Sequence, residues 1–356
     1  MKVLLQIRGD VARFPGGDYV QLLETKAALE QLGVTCTVAP GLGKQDGYFD
    51  IVHLFNTTRI HETYMQYRAA KAKGQRVVLS PIWHSLEDMR RFYGHLYHLP
   101  FFPIHSYLAA KEFFYARRSG LPVHPSASLR FRAMQRELVR ECDAILPNSQ
   151  TELDVITNES GTTPRASFIS PLGLTRTAAT ATHAPRRNLI CAGRIEPRKN
   201  QLAVVRAFKR LPRTDRKLRL YGQRNDSHPK YAKRVLAECV EGWVEYGGSV
   251  SHDSLMAAYD TCHTAVLMSF FETFGLAALE GLAAGATLCL SDTAYNRGIY
   301  GDRAVYANPY SEDAITRALS ASLDSPLTSH DDFLQPYTWE NAARTTLQAY
   351  QHVTGS

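Results

Sequence analysis

The sequence has no long apolar run, no paired cysteines and no common glycine-rich nucleotide fingerprint such as GxGxxG. Its six cysteines are scattered without a CxxC pair, which does not favour a zinc site. Cys191 and Cys289 lie in apolar, strand-like runs and are predicted to be core residues in a reducing compartment. The opening MKVLLQIRGD has too short an apolar run for a signal peptide and is predicted to form a strand. No run approaches membrane-spanning length, so we expect a cytoplasmic protein whose membrane contact, if any, is peripheral and on the inner face.

The composition describes a globular, basic protein. Hydrophobic residues make up 44% and charged residues 21% of the 356 residues, which argues against disorder, and the length favours two domains. The net charge of +7 fits a phosphorylated ligand, nucleic acid or an anionic membrane surface, or it serves solubility alone. No recognised nucleic-acid-binding signature accompanies this charge, so no nucleic acid partner is expected. The oligomeric state is left open.

Short apolar runs alternate with helical stretches along almost the whole chain. Such strands between helices predict parallel sheets covered on both faces, and two such series predict two doubly wound domains. We place these domains at 1–180 and 186–335, with the join in the small-residue stretch 175–188 and a closing helix at 336–356. A ligand is expected between the domains, at the carboxyl ends of the strands. The predicted strands are KVLLQI, VTCTVA, FDIVHLF, RVVLSPI, DAILPNS and ASFIS, then NLICAG, KLRLYG, VEYGGSV, TAVLMSF, TLCLSD and AVYANP.

An insertion near 83–140 interrupts this alternation of strands and helices. It mixes aromatic residues with arginine, lysine and histidine, as in WHSLEDMRRFYGHLYHLPFF. One interpretation is an insertion that packs a small core of its own. The other is a basic aromatic surface for a lipid-linked or membrane-proximal acceptor.

Two loops have the composition of anion-binding sites. Gly16 and Gly17 follow the first strand and precede a helix, which allows a ligand to approach the backbone closely, although a GG pair is often purely structural. In GRIEPRKN, Arg194 and Lys199 bracket a loop ahead of an amphipathic helix. Two fixed cations beside a helix start form a natural diphosphate clamp, the alternative being two solvated charges.

The stretch SFFETFGLAALEGLAAG, residues 269–285, contains acids in an otherwise apolar segment. Glu272 ends a predicted strand, and the amides of Phe274 and Gly275 lead into a helix that is apolar nearly all round. Glu280 lies in that helix, and a buried carboxylate requires a partner. A ribose diol fits this requirement because two hydroxyls can donate to two oxygens; a buried Glu–Arg pair is the structural alternative.

These motifs together resemble glycosyltransferase family 4, a family with the GT-B fold. Its signature is two glutamates separated by seven residues, matched here by Glu272 and Glu280; the GG turn, GRIEPRKN and FDIVHLFN agree in order and spacing. The closing YTWENAARTTLQAYQHV resembles the family's helix that crosses back to the first domain. The resemblance implies an α/β GT-B fold, with two doubly wound Rossmann-like domains facing across a cleft, and a retaining transferase that takes a sugar from a nucleotide-sugar such as a UDP- or GDP-sugar.

The resemblance also implies roles for individual residues. Glu280 would hold the ribose, the amides of Phe274 and Gly275 the phosphate and donor sugar, and Glu272 the sugar hydroxyls near the reacting carbon. Gly16 and Gly17 join the donor site, while Arg194 and Lys199 would neutralise the leaving diphosphate. His84, after the strand RVVLSPIW, would lie near the acceptor and the reacting sugar, a role weighed against a purely structural one.

No aspartate lies two residues from another, so the DxD motif by which other transferases bind metal is absent, and no metal or other cofactor is expected. The expected acceptor is a glycan or lipid-linked hydroxyl, in bacterial cell-surface polysaccharide or lipopolysaccharide synthesis. Two other hypotheses remain: a non-catalytic scaffold with this fold, or a relative with epimerase or phosphorylase chemistry.

Overall fold

The computed structural model of the chain divides into two compact units. Unit 1 comprises Met1–Gly173 and Pro336–Ser356, and unit 2 comprises Leu174–Gln335. The structure describes residues 1–13, 16–43, 47–118, 120, 130–175 and 186–355. Most of the expected join at 175–188 therefore lies outside the described residues.

Unit 1 is built on a five-stranded parallel sheet in the order β2-β1-β3-β4-β5. Apart from the partly exposed edge strand β2, the strands are almost continuously apolar and buried, because helices cover both faces of such a sheet. Its strands are β1 (Lys2–Ile7), β2 (Thr35–Pro40), β3 (Ile51–Phe55), β4 (Arg76–Ser80) and β5 (Ala144–Ile145). Its helices are α1 (Gly17–Gln31), α2 (Ile60–Ala72), α3 (Leu86–Tyr97), α4 (Ile104–Arg118), α5 (Phe131–Glu141) and α6 (Gln150–Ser160).

Unit 2 is built on a six-stranded parallel sheet in the order β11-β10-β9-β6-β7-β8. Cys191 and Cys289 are buried in this unit, as predicted. Its strands are β6 (Asn188–Ala192), β7 (Leu218–Tyr221), β8 (Val244–Gly248), β9 (Cys262–Leu267), β10 (Thr287–Ser291) and β11 (Ala304–Ala307). Its helices are α7 (Gln201–Lys209), α8 (Pro229–Ala237), α9 (His252–Tyr259), α10 (Leu276–Ala283), α11 (Ala294–Tyr300), α12 (Glu312–Asp324) and α13 (Asp331–Leu334). The prediction of two doubly wound, Rossmann-like α/β sheets is confirmed.

The last helix, α14 (Trp339–Thr354), belongs to unit 1 although unit 2 precedes it in the chain. Its Tyr350 hydroxyl lies 2.7 Å from Nδ1 of His53 on β3, and Nε2 of His53 lies 2.9 Å from the Ser80 hydroxyl. Burial lowers the pKa of His53 to about 3, so this histidine is a neutral core residue. The chain enters the helix where the backbone of Trp339 approaches Gly173 so closely that any side chain on Gly173 would collide with it.

The predicted strand ASFIS does not form. It runs beside β5, where Ile145 N–H donates to Ala166 O and Phe168 N–H donates to Ile145 O, both at 3.0 Å. Regular pairing is limited to one bridge between Ile145 and Ser167. Pro147 lacks the N–H that a longer β5 would need, so the ladder stops there.

The insertion between β4 and β5 forms α3, α4 and α5. Its rings pack on one another around Tyr93, which lies 4.5 Å from Tyr107 and 5.6 Å from Phe102 between ring centroids. The insertion therefore has a small aromatic core, yet Phe101 and Phe114 are 86% and 68% exposed. Among the described residues, no helix is long and apolar enough to cross a bilayer.

Candidate active site

The order of each sheet determines where its loops meet. In unit 2, successive strands run outward from β6 to β8 and then from β9 to β11, so the direction of winding reverses between the neighbours β6 and β9. Ligands of open α/β sheets bind at the carboxyl ends of strands at such a switch point. The loops that follow β6 and β9 contain most of the site residues predicted from the sequence, and they touch: Phe270 N–H donates to Arg198 O at 2.9 Å.

The loop after β6 holds its cations in place through the backbone. Gly193 has a φ of 144°, a backbone conformation that glycine adopts easily and other residues rarely do. The aliphatic chain of Lys199 lies against it. Pro197–Lys199 form a single 3₁₀ turn that leads into α7. The Arg194 carbonyl accepts a hydrogen bond from Gln201 Nε2 at 2.8 Å, which ties the loop to the start of that helix.

Glu272 and Lys199 form a direct ion pair in this structure. The Lys199 ammonium donates to Oε2 of Glu272, with the two side chains only 16% and 12% exposed. The Ser269 hydroxyl donates to the same oxygen at 3.2 Å, and Arg198 Nη1 lies 3.6 Å from it. Lys199, Glu272 and the overlooked Arg198 thus form one cluster, with Lys199 contacting a carboxylate where the sequence predicted a diphosphate.

Glu196 is a second buried acid in this loop, and sequence reasoning missed it. Its carboxylate accepts from Arg198 Nη2 at 2.9 Å and from Asn225 Nδ2 at 2.7 Å. Burial alone would raise the pKa of this carboxyl, but neighbouring positive charges and a hydrogen bond outweigh burial and lower it to about 2. The charges are those of Arg198, Arg194 and Lys199, and the hydrogen bond comes from the amide of Asn225. Glu196 therefore stays ionised and orients Arg198.

The loop after β9 turns into α10 at Gly275. This residue has a φ of 78°, in the left-handed region, and a β-carbon there would lie 2.6 Å from a methyl group of Leu267. Phe274 is buried, and the Tyr300 hydroxyl donates to the Gly275 carbonyl at 3.2 Å. The first amides of a helix have no intrahelical acceptor, so this turn presents donors at the switch point.

Glu280, one turn into α10, is largely buried, with 15% of its side chain exposed. Among the described residues, its ion-pair neighbour is His252, whose Nδ1 lies 3.7 Å from Oε1, and no arginine pairs with it. The buried Glu–Arg pair considered from the sequence is thus not formed by these residues. Burial raises the pKa of the Glu280 carboxyl to about 7, because no strong partner stabilises its charge.

The remaining predicted residues lie in unit 1, also at carboxyl ends of parallel strands. Gly16 is the N-cap residue of α1, and a β-carbon on it would meet the Asp18 carboxylate at 2.8 Å; no atom closely approaches the corresponding position on Gly17. Arg8 binds Asp18 through two nitrogens, at 2.7 and 3.1 Å. This buried pair fixes the glycine turn, although residues 14 and 15 lie outside the described part.

His84 lies after β4 in a constrained loop. Ile82 adopts a φ of 46°, rare for a β-branched residue and a sign of strain near functional loops. The Trp83 N–H donates to Glu152 at 2.6 Å and its indole donates to Glu159 at 2.7 Å, so the backbone on the N-terminal side of His84 is rigidly held. His84 is itself half-buried.

Comparison with known proteins shows what the second unit resembles. The family model for glycosyl transferases group 1 matches residues 178–336. The O-antigen chain mannosyltransferase B of Escherichia coli is 30% identical over 168 residues, which are 45% of this chain and 44% of that protein. The chain therefore spans less than half the length of this curated relative.

Solved structures extend the likeness in fold to the whole chain. Sucrose-phosphate synthase from Thermosynechococcus elongatus superposes with a TM-score of 0.75 at 13% identity, covering 100% of both chains. The Anabaena protein HepE, solved with UDP and glucose, gives a TM-score of 0.62 at 13% identity over 99% of this chain and 96% of that one. The GT-B fold expected from the motifs is confirmed, and residues 178–336 are similar to the glycosyl transferases group 1.

Proposed function

We propose that this chain is a retaining, metal-independent glycosyltransferase. It moves a sugar from a nucleotide-sugar, of the UDP- or GDP-sugar class, to a hydroxyl of a glycan or lipid-linked acceptor. The observation that supports this most strongly is the cluster at the switch point of unit 2, where Lys199, Arg198 and Glu272 lie beside the start of α10. The group 1 model covers this same unit.

In this proposal the donor binds where Lys199 and Glu272 form an ion pair in its absence. The diphosphate takes over the Lys199 ammonium and draws in Arg194, while the first amides of α10 donate to phosphate oxygens. Glu272, released from Lys199, accepts hydroxyl groups of the donor sugar. Glu280 accepts the ribose hydroxyls, which supply the donors that its burial leaves it without.

The proposed reaction uses no protein nucleophile. The bond between the anomeric carbon and the phosphate oxygen breaks, and the acceptor oxygen bonds to the same face of the sugar. The leaving phosphate oxygen takes the acceptor's hydroxyl proton, while Lys199 and Arg194 stabilise the charge that develops on the diphosphate. His84 orients the acceptor hydroxyl. Fixed cations perform the task for which other transferases use a metal, and the described residues contain no cluster of three or more metal-ligating side chains.

We assign the acceptor to bacterial cell-surface polysaccharide, including lipopolysaccharide. Support comes from the relative named as an O-antigen chain mannosyltransferase. In addition, five of the eleven exposed large apolar side chains among the described residues lie between positions 96 and 114. We call these five side chains, Leu96, Tyr97, Leu99, Phe101 and Phe114, the aromatic surface.

The aromatic surface fits peripheral contact with an anionic membrane. Exposed Lys111, Arg117 and Arg118 on α4 add positive charge near it, which favours acidic lipid headgroups. We expect the protein to float with vesicles that contain phosphatidylglycerol, and to do so less in high salt. Replacing Phe101 and Phe114 with serine should abolish flotation, whereas Tyr48→Ser, at an exposed site outside this surface, should not. Equal flotation of all three proteins would remove the membrane assignment.

Product analysis tests the proposed function directly. The protein is incubated with UDP-glucose or GDP-mannose and a lipid-linked or oligosaccharide acceptor, with and without EDTA. Appearance of the free nucleoside diphosphate with an α-linked sugar on the acceptor, insensitive to EDTA, is expected. Sugar isomers without transfer would indicate an epimerase, phosphate-dependent release a phosphorylase, and nucleotide binding without turnover a scaffold.

A further inference from the structure

Two glutamates of α6 hold the loop that contains His84 on both sides of that residue. Glu152 and Glu159 lie about two helical turns apart and therefore on the same face of the helix. Glu152 accepts a hydrogen bond from the Trp83 N–H, on the N-terminal side of His84, at 2.6 Å. Glu159 accepts from the Leu86 N–H, on the C-terminal side, at 2.8 Å and from the indole of Trp83 at 2.7 Å. The backbone of His84 is thus fixed between two anchored neighbours.

Glu152 also ties this loop to other segments of unit 1. Its second carboxylate oxygen accepts from the Asn148 N–H at 2.6 Å, in the segment after β5. The Asn148 side chain in turn accepts from Gln21 Nε2 at 3.0 Å, on the helix that follows the glycine turn. Gln21, Asn148 and Glu152 are all buried. One buried chain of hydrogen bonds therefore joins α1, the segment after β5 and the loop after β4.

This arrangement lowers the stability of the fold at two points. Burial raises the pKa of the Glu152 carboxyl to about 7, although two N–H donors favour its charged form. Ile82, two residues before His84, adopts a left-handed φ of 46°. Groups held in such unfavourable states are concentrated at functional sites. A loop that only connects β4 to α3 needs neither feature, which favours the placement of His84 as their purpose.

We propose that Glu152 and Glu159 are positioning residues of the transfer reaction, which act by holding His84 at the acceptor hydroxyl. This inference rests on the proposed function, in which His84 orients the acceptor. Most of the proposed donor contacts lie in unit 2, so loosening this loop should impair the transfer step and leave nucleotide-sugar affinity nearly unchanged. A displacement of about 1 Å can cost roughly 100-fold in rate, so we expect the loss of either anchor to lower kcat by about 10- to 100-fold.

A double-mutant cycle with His84 separates positioning from a purely structural role. Glu152→Gln and Glu159→Gln each replace an accepting oxygen with an NH₂ group that cannot accept from an N–H. Each is measured alone and combined with His84→Ala, with UDP-glucose or GDP-mannose and an oligosaccharide acceptor. Alone, each should lower kcat while the Kd of the nucleotide-sugar stays within about twofold of the wild type. Combined with His84→Ala, neither should lower kcat by more than about twofold further, because the residue through which they act is gone.

The same helix provides a matched control. Asp154→Asn makes the same change of carboxylate to amide on the exposed face of α6, where Asp154 pairs with Gln150. This variant should transfer sugar at the wild-type rate. If Glu152→Gln does not fold, Glu159→Gln, at a half-buried position, provides the test.

The imidazole of His84 gives a readout that does not depend on catalysis. Its ring signals in NMR spectra of histidine-labelled protein are identified as those missing from His84→Ala. They should shift or broaden in both glutamine variants and stay in place in Asp154→Asn. The signals of His105 should also shift in Glu159→Gln, because its imidazole senses the charge of that carboxylate.

The outcomes separate this inference from the proposed function. An equal fall in kcat with and without His84 would mean that the two glutamates only stabilise unit 1. Unmoved His84 signals in both glutamine variants would overturn the positioning role whether or not transfer is observed. If the wild type transfers sugar and His84→Ala does so equally fast, the role of His84 is wrong, and the positioning role with it, while the transferase assignment stands. If the wild type transfers no sugar, the proposed function fails.

Discussion

The buried position of Glu280 lowers the stability of the folded protein when its carboxyl is ionised. Its carboxyl has a pKa of about 7 in the folded protein against an ordinary value of 4.5, because burial disfavours the charged form. The stability that the neutral acid contributes is therefore complete below about pH 4.5 and is lost as pH rises through about 7. A side chain kept at such a disadvantage is typical of a functional site.

Replacing Glu280 with glutamine should therefore stabilise the protein in alkaline buffer. The pKa difference corresponds to at most about 3 kcal/mol at pH 8 and to almost nothing at pH 4.5, at roughly 1.4 kcal/mol per pKa unit. Thermal unfolding of both proteins at the two pH values measures this difference. Glu340→Gln, at an exposed position on α14, is the control and should leave the difference near zero. Equal Tm values for Glu280→Gln and the wild type at pH 8 would mean that Glu280 is stabilised by a partner.

Lys199 has two roles in the proposed site, so its removal should affect binding more than stability. In Lys199→Met, Glu272 retains Arg198 and Ser269, but the diphosphate loses one charged donor. A charge-assisted hydrogen bond of about 1.5–3 kcal/mol corresponds to roughly 10- to 100-fold in Kd. Isothermal titration with UDP-glucose or GDP-mannose measures this loss. Lys26→Met, which breaks a surface pair with Glu30, should bind as the wild type does. Unchanged affinity in Lys199→Met would limit Lys199 to holding Glu272.

At the scale of elements, the start of α10 depends on a single glycine. Gly275→Ala introduces both left-handed strain and a contact at 2.6 Å with Leu267, so we expect a loss of at least about 2 kcal/mol together with weaker donor binding. Gly33→Ala has a similar φ of 82° but open space around the added carbon, so it isolates the strain, about 1 kcal/mol. Urea unfolding of both variants compares the two effects. If Gly275→Ala were no less stable than Gly33→Ala, the Leu267 contact would relax freely.

Periodicity predicted nearly all of the strands because parallel, doubly covered strands are continuously apolar. The exception, ASFIS, has the composition of a strand, but its neighbour β5 is only two residues long and Pro147 prevents its extension. Whether a segment finds a pairing partner is a tertiary property. The positions of Glu272 and Gly275 were predictable because a loop follows a strand at the switch point. Arg198, Glu196 and His252 were missed because their contacts depend on which side chains lie opposite, and sequence spacing does not contain that information.

At the scale of the whole molecule, each unit has its own sheet and core, and α14 makes the stability of unit 1 depend on the last residues of the chain. Tyr350→Ala would leave a cavity and remove the hydroxyl next to His53, which should cost unit 1 about 3–5 kcal/mol. Two calorimetric transitions are expected, since domains with separate cores can unfold separately. The variant should lower only the transition of unit 1, while a bound nucleotide-sugar should raise the transition of unit 2, by mass action. If Tyr350→Ala lowered both transitions equally, the two units would unfold as one cooperative body, and nucleotide binding would then stabilise the entire chain.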